Sequence, residues 1–286
     1  MQRPLVRLTI ALSLSMGVLV HSADDLVLSR FGDYLDALRA QAGIPGLAVA
    51  IVGRERVTWE RAFGYQDVDR NIATRLDTPF ELDGTTQAIM GSLLVRCAAD
   101  GRLSLGDPVS KFAPSSPDAG ATLSQLLTHT APGSSGLAFS YRPDRLGPVS
   151  GAVASCTDLP FRSGMASVLD RLAMTDSVPG SDIVASAAPV EGFSASALRR
   201  YADVLGRLAT PYTVDARGRA TPSSHVPSPL TPASGMISTV RDLEQFDLAL
   251  KSFFVLPPEW LSLAWTPPND ATGKPLPHAY GWFVQD

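Results

Sequence analysis

Residues 78–111 constrain the fold of this chain more than any other stretch, because they combine a turn, a long helix and a sharp stop. Apolar residues recur at helical spacing in the second half and predict one amphipathic helix that ends at a glycine. The apolar face holds Ile89, Met90, Leu93, Leu94 and Cys97, and the stop is Gly101. The first half of the stretch is the turn that leads into this helix.

A helix and a hairpin precede this stretch. Phe31, Leu35 and Leu38 lie at helical spacing, and glycine follows soon after them. Residues 46–52 are almost wholly apolar and residues 57–63 alternate, which predicts two strands joined by a short turn.

Three further local signals follow it. Thr122 and Gln125 have the spacing of a capping box at the start of a short helix. The pair Gly147-Pro148 should break or kink the next helix. Ser238 or Thr239 is predicted to cap a helix with an apolar face over residues 243–250.

Residues 27–285 resemble the serine β-lactamase and penicillin-binding-protein-like (class C-like) hydrolases. Residues 101–111 match the pattern Gly-basic-Leu-x-Leu-x-Asp-Pro-Val-x-basic, and residues 232–246 match Pro-Ala-x-Gly-Met-x-Ser-Thr-x-x-Asp-Leu-x-x-Phe. The resemblance implies a mixed α/β (α+β) fold, with an antiparallel sheet flanked by helices and an inserted, mainly helical region. In the family further strands follow, so residues 279–286 are expected to begin a strand and the carboxyl-terminal strands to be missing, as in a fragment or a decayed protein.

The residues that perform the family's chemistry are replaced. In the family, the Ser of a Ser-x-x-Lys turn is acylated and the Lys takes its proton. The corresponding positions here read Gly84-Thr85-Thr86-Gln87, and the family's Tyr-x-Asn motif corresponds to Tyr141-Arg142-Pro143. Neither motif, nor a Gly-x-Ser-x-Gly elbow, occurs anywhere else in the chain.

These replacements predict a β-lactamase-related protein with no catalytic residues that binds a ligand in the retained cleft. Thr85, Gln87 and Tyr141 are the candidate ligand-binding residues, because each carries a hydrogen-bonding group at a motif position. The expected partner is a peptide-like or acyl small molecule, or another protein. Two alternatives stay open: a serine-type hydrolase (esterase, peptidase or β-lactamase) that uses Thr85 or Thr86 as nucleophile, and a non-functional fragment.

The histidines and cysteines suggest structural roles. His129 is interpreted as a histidine packed at a helix end and bonded to backbone, rather than as a proton-transfer group. Cys97 and Cys156 either pair or stay as buried free thiols, and free thiols are the preferred interpretation. No metal site is predicted, because neither cysteine has the histidine or acidic neighbours expected of one, and no cofactor is implied.

The amino end predicts export from the cytoplasm. Arg3 and Arg7 precede an apolar run that ends near His21-Ser22-Ala23, which is typical of a signal peptide over residues 1–23 followed by the domain at 24–286. The mature chain would be periplasmic or secreted, with no membrane span. It would carry 22 basic and 28 acidic residues, with only three lysines, which argues against nucleic acid as a partner.

Overall fold

The computed structural model of the chain describes residues 25–133, 136–185 and 192–285. The predicted signal peptide lies outside these residues. The chain divides into two compact units. The first comprises the described parts of Met1–Val49, Trp59–Arg75 and Thr210–Ser224, and the second those of Ala50–Thr58, Leu76–Ala209 and His225–Asp286.

The amino-terminal helix and hairpin form as the sequence predicts. Helix α1 covers residues 25–41, and the next segment turns at Gly43, whose φ is 68°. Three strands then form a sheet in the order β1-β2-β3. They are β1 (Gly46–Val52), β2 (Val57–Asp67) and β3 (Ile72–Ala73). A separate hairpin is formed by β8 (Tyr212–Val214) and β9 (Ala220–Pro222).

The second unit is built from helices around a small antiparallel sheet. Its helices are α2 (Thr86–Ala99), α3 (Leu123–Leu127), α4 (Val149–Thr157), α5 (Phe161–Arg171), α6 (Ala195–Leu205), α7 (Val240–Lys251) and α8 (Pro258–Ala264). Its strands are β4 (Phe80–Glu81), β5 (Thr130–Gly133), β6 (Gly136–Phe139), β7 (Val178–Pro179) and β10 (Met236–Ser238). Strand β10 pairs antiparallel with β4 on one side and β7 on the other. Within the described residues, no helix has the length and hydropathy of a membrane span.

Helix α2 is the centre of the second unit, and the prediction that it is amphipathic is wrong. Eleven of its 14 residues are buried, from Thr86 to Cys97, with Arg96 the exception within that run. Helices α4 and α8 pack against it, and the backbone of Tyr280 lies directly over Gly91, where a side chain would collide with its carbonyl. The helix is buried around most of its circumference, including the polar residues Thr86, Gln87 and Ser92, so one apolar face could not reveal its position.

The two cysteines form a disulfide, so the preferred interpretation as free thiols is wrong. Cys97 near the end of α2 and Cys156 near the end of α4 have their Cα atoms 6.0 Å apart, within the usual range for a bridge. The packing of α2 against α4 brings the two residues together. The two cysteines lie 59 residues apart in the chain, and their pairing depends on this tertiary contact.

The predicted helix boundaries are confirmed. Thr122 and Gln125 form the capping box, with both reciprocal hydrogen bonds present. Thr239, rather than Ser238, caps α7 by accepting a hydrogen bond from the Asp242 amide. The break at Gly147-Pro148 separates a 3₁₀ turn (Pro143–Leu146) from α4.

The strand predicted at the carboxyl end is absent from the described part, which runs to residue 285. Residues 279–285 instead form a turn, with one isolated bridge between His278 and Phe283. Gly281 lies at the turn with φ of 89°, and a Cβ atom there would collide with the Gln87 carbonyl. Glycine suits this position because the turn needs a positive φ and the chain passes close to α2.

A buried polar network joins α7 to the segment before β7. The Ser177 hydroxyl donates to Asp242 Oδ2 at 2.7 Å and lies 2.7 Å from the Ser238 hydroxyl. Asp242 is 5% exposed, and burial raises the pKa of its carboxyl to about 6. The folded state therefore binds a proton at Asp242 more readily than the unfolded state does, over the range from about pH 4 to pH 6.

We expect Asp242→Asn to remove this pH dependence. As the pH rises to 6, the ionisation of Asp242 lowers the free energy of unfolding by roughly 3 kcal/mol. Urea unfolding of both proteins at pH 4 and pH 8 should show the variant gaining about that much relative to the native protein at the higher pH. Asp247→Asn on the same helix is the control, and an equal gain there would contradict the assignment to Asp242.

Candidate functional site

The turn that leads into α2 is fixed to the central strand of the small sheet. The Leu82 amide donates to the Met236 carbonyl at 2.9 Å, and the Met236 amide donates to the Thr86 hydroxyl at 3.3 Å. Asp83 in this turn has φ of 43°, a left-handed backbone that non-glycine residues rarely adopt. Such backbone strain is found disproportionately at functional sites. The turn therefore holds Gly84 in a defined position beside β10.

Gly84, Gln87 and Tyr141 converge at this turn. A Cβ atom on Gly84 would lie 3.1 Å from the Tyr141 hydroxyl oxygen and 3.8 Å from Gln87 Nε2. Gln87 Nε2 donates a hydrogen bond to that hydroxyl at 2.8 Å. The positions that correspond to Ser, Lys and Tyr in the family motifs are thus together in space, although the first two carry different residues.

His129 extends this group into the protein. Its Nε2 lies 2.8 Å from Gln87 Oε1, and its Nδ1 accepts a hydrogen bond from the Arg142 amide at 3.2 Å. Because a backbone amide only donates, Nδ1 carries no proton and the neutral ring is protonated at Nε2. The interpretation of His129 as a helix-end residue bonded to backbone is correct but incomplete, because its Nε2 atom also bonds to Gln87 of the site.

His278 packs edge-on against His129, with the ring centroids 4.7 Å apart. Burial lowers the pKa of both rings to about 4, and the proximity of His278 lowers that of His129 further. Arg145 also lowers the pKa of His129, whereas Asp144 opposes this effect. Both rings are therefore neutral at pH 7, which excludes them as charged partners there.

An aromatic cluster surrounds the outer part of the site. The Phe283 ring lies 5.5 Å from that of Tyr141 and 4.8 Å from that of His278, measured between centroids. Phe139 packs on the other side of Phe283 at 6.3 Å. Phe283 is 63% exposed, so the cluster offers an apolar surface to solvent beside the Tyr141 hydroxyl.

The structure brings together only part of the predicted ligand-binding set. Gln87 is buried and Tyr141 is 41% exposed, and they are in direct contact. Thr85 is exposed, and within the described residues its hydroxyl makes no hydrogen bond to either of them. Thr86 is fully buried, with its hydroxyl used by the Met236 amide.

The motif positions do not carry the serine, lysine and asparagine that the resemblance implies. Gly84 has no side chain to be acylated, and the amide of Gln87 does not accept a proton at neutral pH. Pro143 begins the 3₁₀ turn and offers neither a side-chain amide nor a backbone N–H. No group of three or more potential metal ligands occurs among residues 25–133, 136–185 and 192–285.

The β-lactamase family profile matches residues 31–286. The chain belongs to the β-lactamase family. This confirms both the resemblance stated from the motifs and the mixed α/β fold. Gly84, Gln87 and Tyr141, which the sequence analysis assigns to the family's motif positions, meet in the structure.

Solved structures share this fold at low sequence identity. The octameric penicillin-binding protein homologue from Pyrococcus abyssi aligns with a TM-score of 0.69 and 16% identity, over 89% of this chain and 64% of that one. The D-alanine carboxypeptidase AmpC from Burkholderia cenocepacia aligns with a TM-score of 0.65 and 20% identity, over 86% of this chain and 70% of that one. These similarities show the fold of the β-lactamase family.

Curated relatives match over shorter regions. Protein flp of Staphylococcus aureus is 34% identical over 94 residues, which are 31% of this chain and 19% of flp. The D-alanyl-D-alanine-carboxypeptidase/endopeptidase AmpH of Escherichia coli (strain K12) is 29% identical over 126 residues, which are 39% of this chain and 32% of AmpH. The matched regions thus span about a fifth and a third of these relatives.

Sequence reasoning missed two members of the site. His278 lies far along the chain from His129 and follows no family motif, so its position beside that ring had no local signal. Ala233, whose carbonyl lies 3.5 Å from Gln87 Nε2, contributes a backbone atom that side-chain patterns cannot reveal. Both reach the site through the packing of later segments against α2.

Proposed function

We propose that this chain is a non-hydrolytic member of the β-lactamase family that binds a small acyl or peptide-like ligand at the turn before α2. The observation that carries the proposal is the contact between Gln87 and the Tyr141 hydroxyl beside a glycine. Amide and phenol groups can hold a ligand by hydrogen bonds, but this set offers no nucleophile with an adjacent base. The name of AmpH, which describes an enzyme acting on D-alanyl-D-alanine, favours a peptide-like ligand.

A location outside the cytoplasm is part of this proposal. The Cys97–Cys156 disulfide supports it, because disulfides persist mainly in oxidising compartments. The pattern at residues 1–23 supports it independently.

The alternative of a threonine nucleophile has less support. Thr86 is fully buried and its hydroxyl already accepts a hydrogen bond, so a substrate carbonyl has no access to it. Thr85 is exposed but has no basic partner within hydrogen-bonding distance among the described residues. Hydrolysis of an activated ester that is lost in Thr85→Ala would favour this alternative over binding.

Covalent labelling tests the proposal directly. We expect the purified protein to show no mass increase after incubation with a β-lactam or a fluorophosphonate, because position 84 carries no hydroxyl. The double variant Gly84→Ser, Gln87→Lys should gain an adduct at residue 84, because serine and a lysine one helical turn later restore a nucleophile with its base. Intact mass spectrometry followed by peptide mapping gives the result.

The single variant Gly84→Ser is the matched control and should stay largely unlabelled, since Gln87 cannot take its proton. Gly84 does not have a left-handed backbone, so serine can be accepted with a shift of a few tenths of an ångström at Tyr141. A stoichiometric adduct on the unmodified protein would overturn the non-hydrolytic assignment.

A further inference from the structure

We propose that His129, Gln87 and Tyr141 form a hydrogen-bond relay of fixed direction, which makes the Tyr141 hydroxyl a donor toward the space beside Gly84. The ligand must then present an acceptor oxygen, from a carboxylate or a carbonyl group, next to an apolar group. This inference rests on the proposed function and specifies the ligand class for the same site.

The inner end of the relay is fixed by the Arg142 amide. This amide donates to His129 Nδ1 at 3.2 Å, so the hydrogen of the neutral ring resides on Nε2. That nitrogen therefore donates to Gln87 Oε1 at 2.8 Å. The depressed pKa of His129 keeps the ring neutral at pH 7, and the direction of this bond is maintained there.

The orientation of the Gln87 amide is supported from a second side. Its Nε2 faces the Ala233 carbonyl at 3.5 Å, and a carbonyl oxygen only accepts hydrogen bonds. The opposite orientation would place Oε1 against that carbonyl and Nε2 against the N–H of His129. The Arg142 amide, which only donates, and the Ala233 carbonyl, which only accepts, thus select the same orientation of the Gln87 side-chain amide.

The direction of the hydrogen bond between Gln87 and Tyr141 follows from this orientation of the Gln87 amide. Gln87 Nε2 donates to the Tyr141 hydroxyl oxygen at 2.8 Å, so the hydrogen of that hydroxyl points elsewhere. Tyr141 is partly exposed, and only the absence of a side chain on Gly84 keeps the space beside its oxygen clear, because a Cβ there would already make a tight contact at 3.1 Å. The hydroxyl therefore offers a hydrogen to a ligand in this space and retains little capacity to accept one.

The surroundings define the rest of the ligand. The exposed ring of Phe283 lies beside Tyr141 and provides an apolar surface next to the donor. An aryl or alkyl group attached to the acceptor oxygen would pack there. A ligand whose only polar group is a donor would face the hydrogen of Tyr141 and gain no hydrogen bond from it, so it would bind more weakly than an acceptor of similar shape.

Acetophenone and indole test the direction without a difference in charge. Both are neutral and aromatic, but acetophenone only accepts hydrogen bonds, whereas the indole N–H donates. We expect saturation-transfer NMR titrations of the native protein at pH 7.5 to show acetophenone bound at least tenfold more tightly than indole. Benzoate in a parallel titration separates a carboxylate ligand from a neutral carbonyl one.

Gln87→Glu reverses the bond between residue 87 and Tyr141 at nearly constant shape. A carboxylate at position 87 only accepts, so both His129 Nε2 and the Tyr141 hydroxyl would donate to it. The hydroxyl would then turn inward and present a lone pair to the ligand. We expect the preference between the two probes to invert, and Tyr141→Phe, which loses the hydroxyl but keeps the ring, to weaken acetophenone about tenfold.

Gln245→Glu makes the same chemical change at an exposed position on α7 and should leave both affinities unchanged. Circular dichroism and thermal unfolding establish that each variant is folded. Equal affinities for the two probes, binding of neither, or a preference that survives Gln87→Glu would overturn this inference and leave the non-hydrolytic assignment intact. A covalent adduct on the native protein would instead overturn the proposed function.

Discussion

Acidification from pH 7 to pH 4 should destabilise this protein strongly, because two buried histidines must take up protons. The pKa of His129 and that of His278 are each lowered to about 4 by burial, against an ordinary value of 6.5. The unfolded chain therefore binds more protons than the folded chain between these pH values. The free energy of unfolding has its full value above pH 6.5 and falls as the pH decreases through this window. At pH 4 the protonation of each ring has lowered it by roughly 3 kcal/mol.

Two effects shape the size of this loss. A charged His278 lowers the pKa of His129, so the two protonations oppose each other and the rings do not titrate independently. Asp242, whose pKa is raised to about 6, acts in the opposite sense and offsets part of the loss below pH 6. The net result is a protein that unfolds more readily in acid, with the histidine pair as the main cause.

His278→Phe tests this assignment. The Nδ1 atom of His278 is buried without a hydrogen-bond partner among the described residues. The interactions of the ring with the backbone of Ala279 and Leu127 are lost in the variant at every pH, so the pH dependence of stability is the readout. Urea unfolding from pH 4 to pH 8 should show the variant losing roughly 3 kcal/mol less free energy of unfolding on acidification than the native protein does. His225→Phe, which changes a histidine outside the pair, is the matched control. An unchanged pH profile in His278→Phe would contradict the role of the pair.

Removing the disulfide should cost the folded state about 4 kcal/mol. The bridge between Cys97 and Cys156 spans 59 residues, and loop closure of that length restricts the unfolded chain by about this amount. It also joins α2, which carries Gln87, to α4 within the apolar core. We expect the double variant Cys97→Ser, Cys156→Ser to show a correspondingly lower free energy of unfolding.

Chemical denaturation of the oxidised native protein and the double variant measures this difference. The native protein under reducing conditions is the control for the polarity of serine, because it loses the bridge but keeps both sulfur atoms. It should lose a similar amount of stability. Equal stability of oxidised and reduced protein would show that the bridge does not contribute to the fold.

Local sequence signals predicted the local structure well. The capping box at Thr122, the cap of α7 and the break at Gly147-Pro148 each depend on residues within a few positions of one another, so their physics is visible in the sequence. The motif segments identified the β-lactamase family and the replaced catalytic residues for the same reason. These features required no knowledge of which segments pack together.

The wrong predictions all concern contacts between distant segments. The sequence predicts an amphipathic pattern for α2, yet its neighbours cover it on several sides and 11 of its 14 residues are buried. The free-thiol interpretation failed because α4 packs on α2. The strand expected at the carboxyl end is a turn, in which Gly281 has a positive φ and lies close to the Gln87 carbonyl.

The sequence by itself determined the family and the replacement of serine and lysine by Gly84 and Gln87. It also placed Tyr141 at the second motif. Only the tertiary structure decided that Gln87 links Tyr141 to His129, and that His278 packs against this group. The physical reason is that hydrogen-bond direction depends on which backbone amide and carbonyl groups face a side chain, and distant parts of the chain supply those groups.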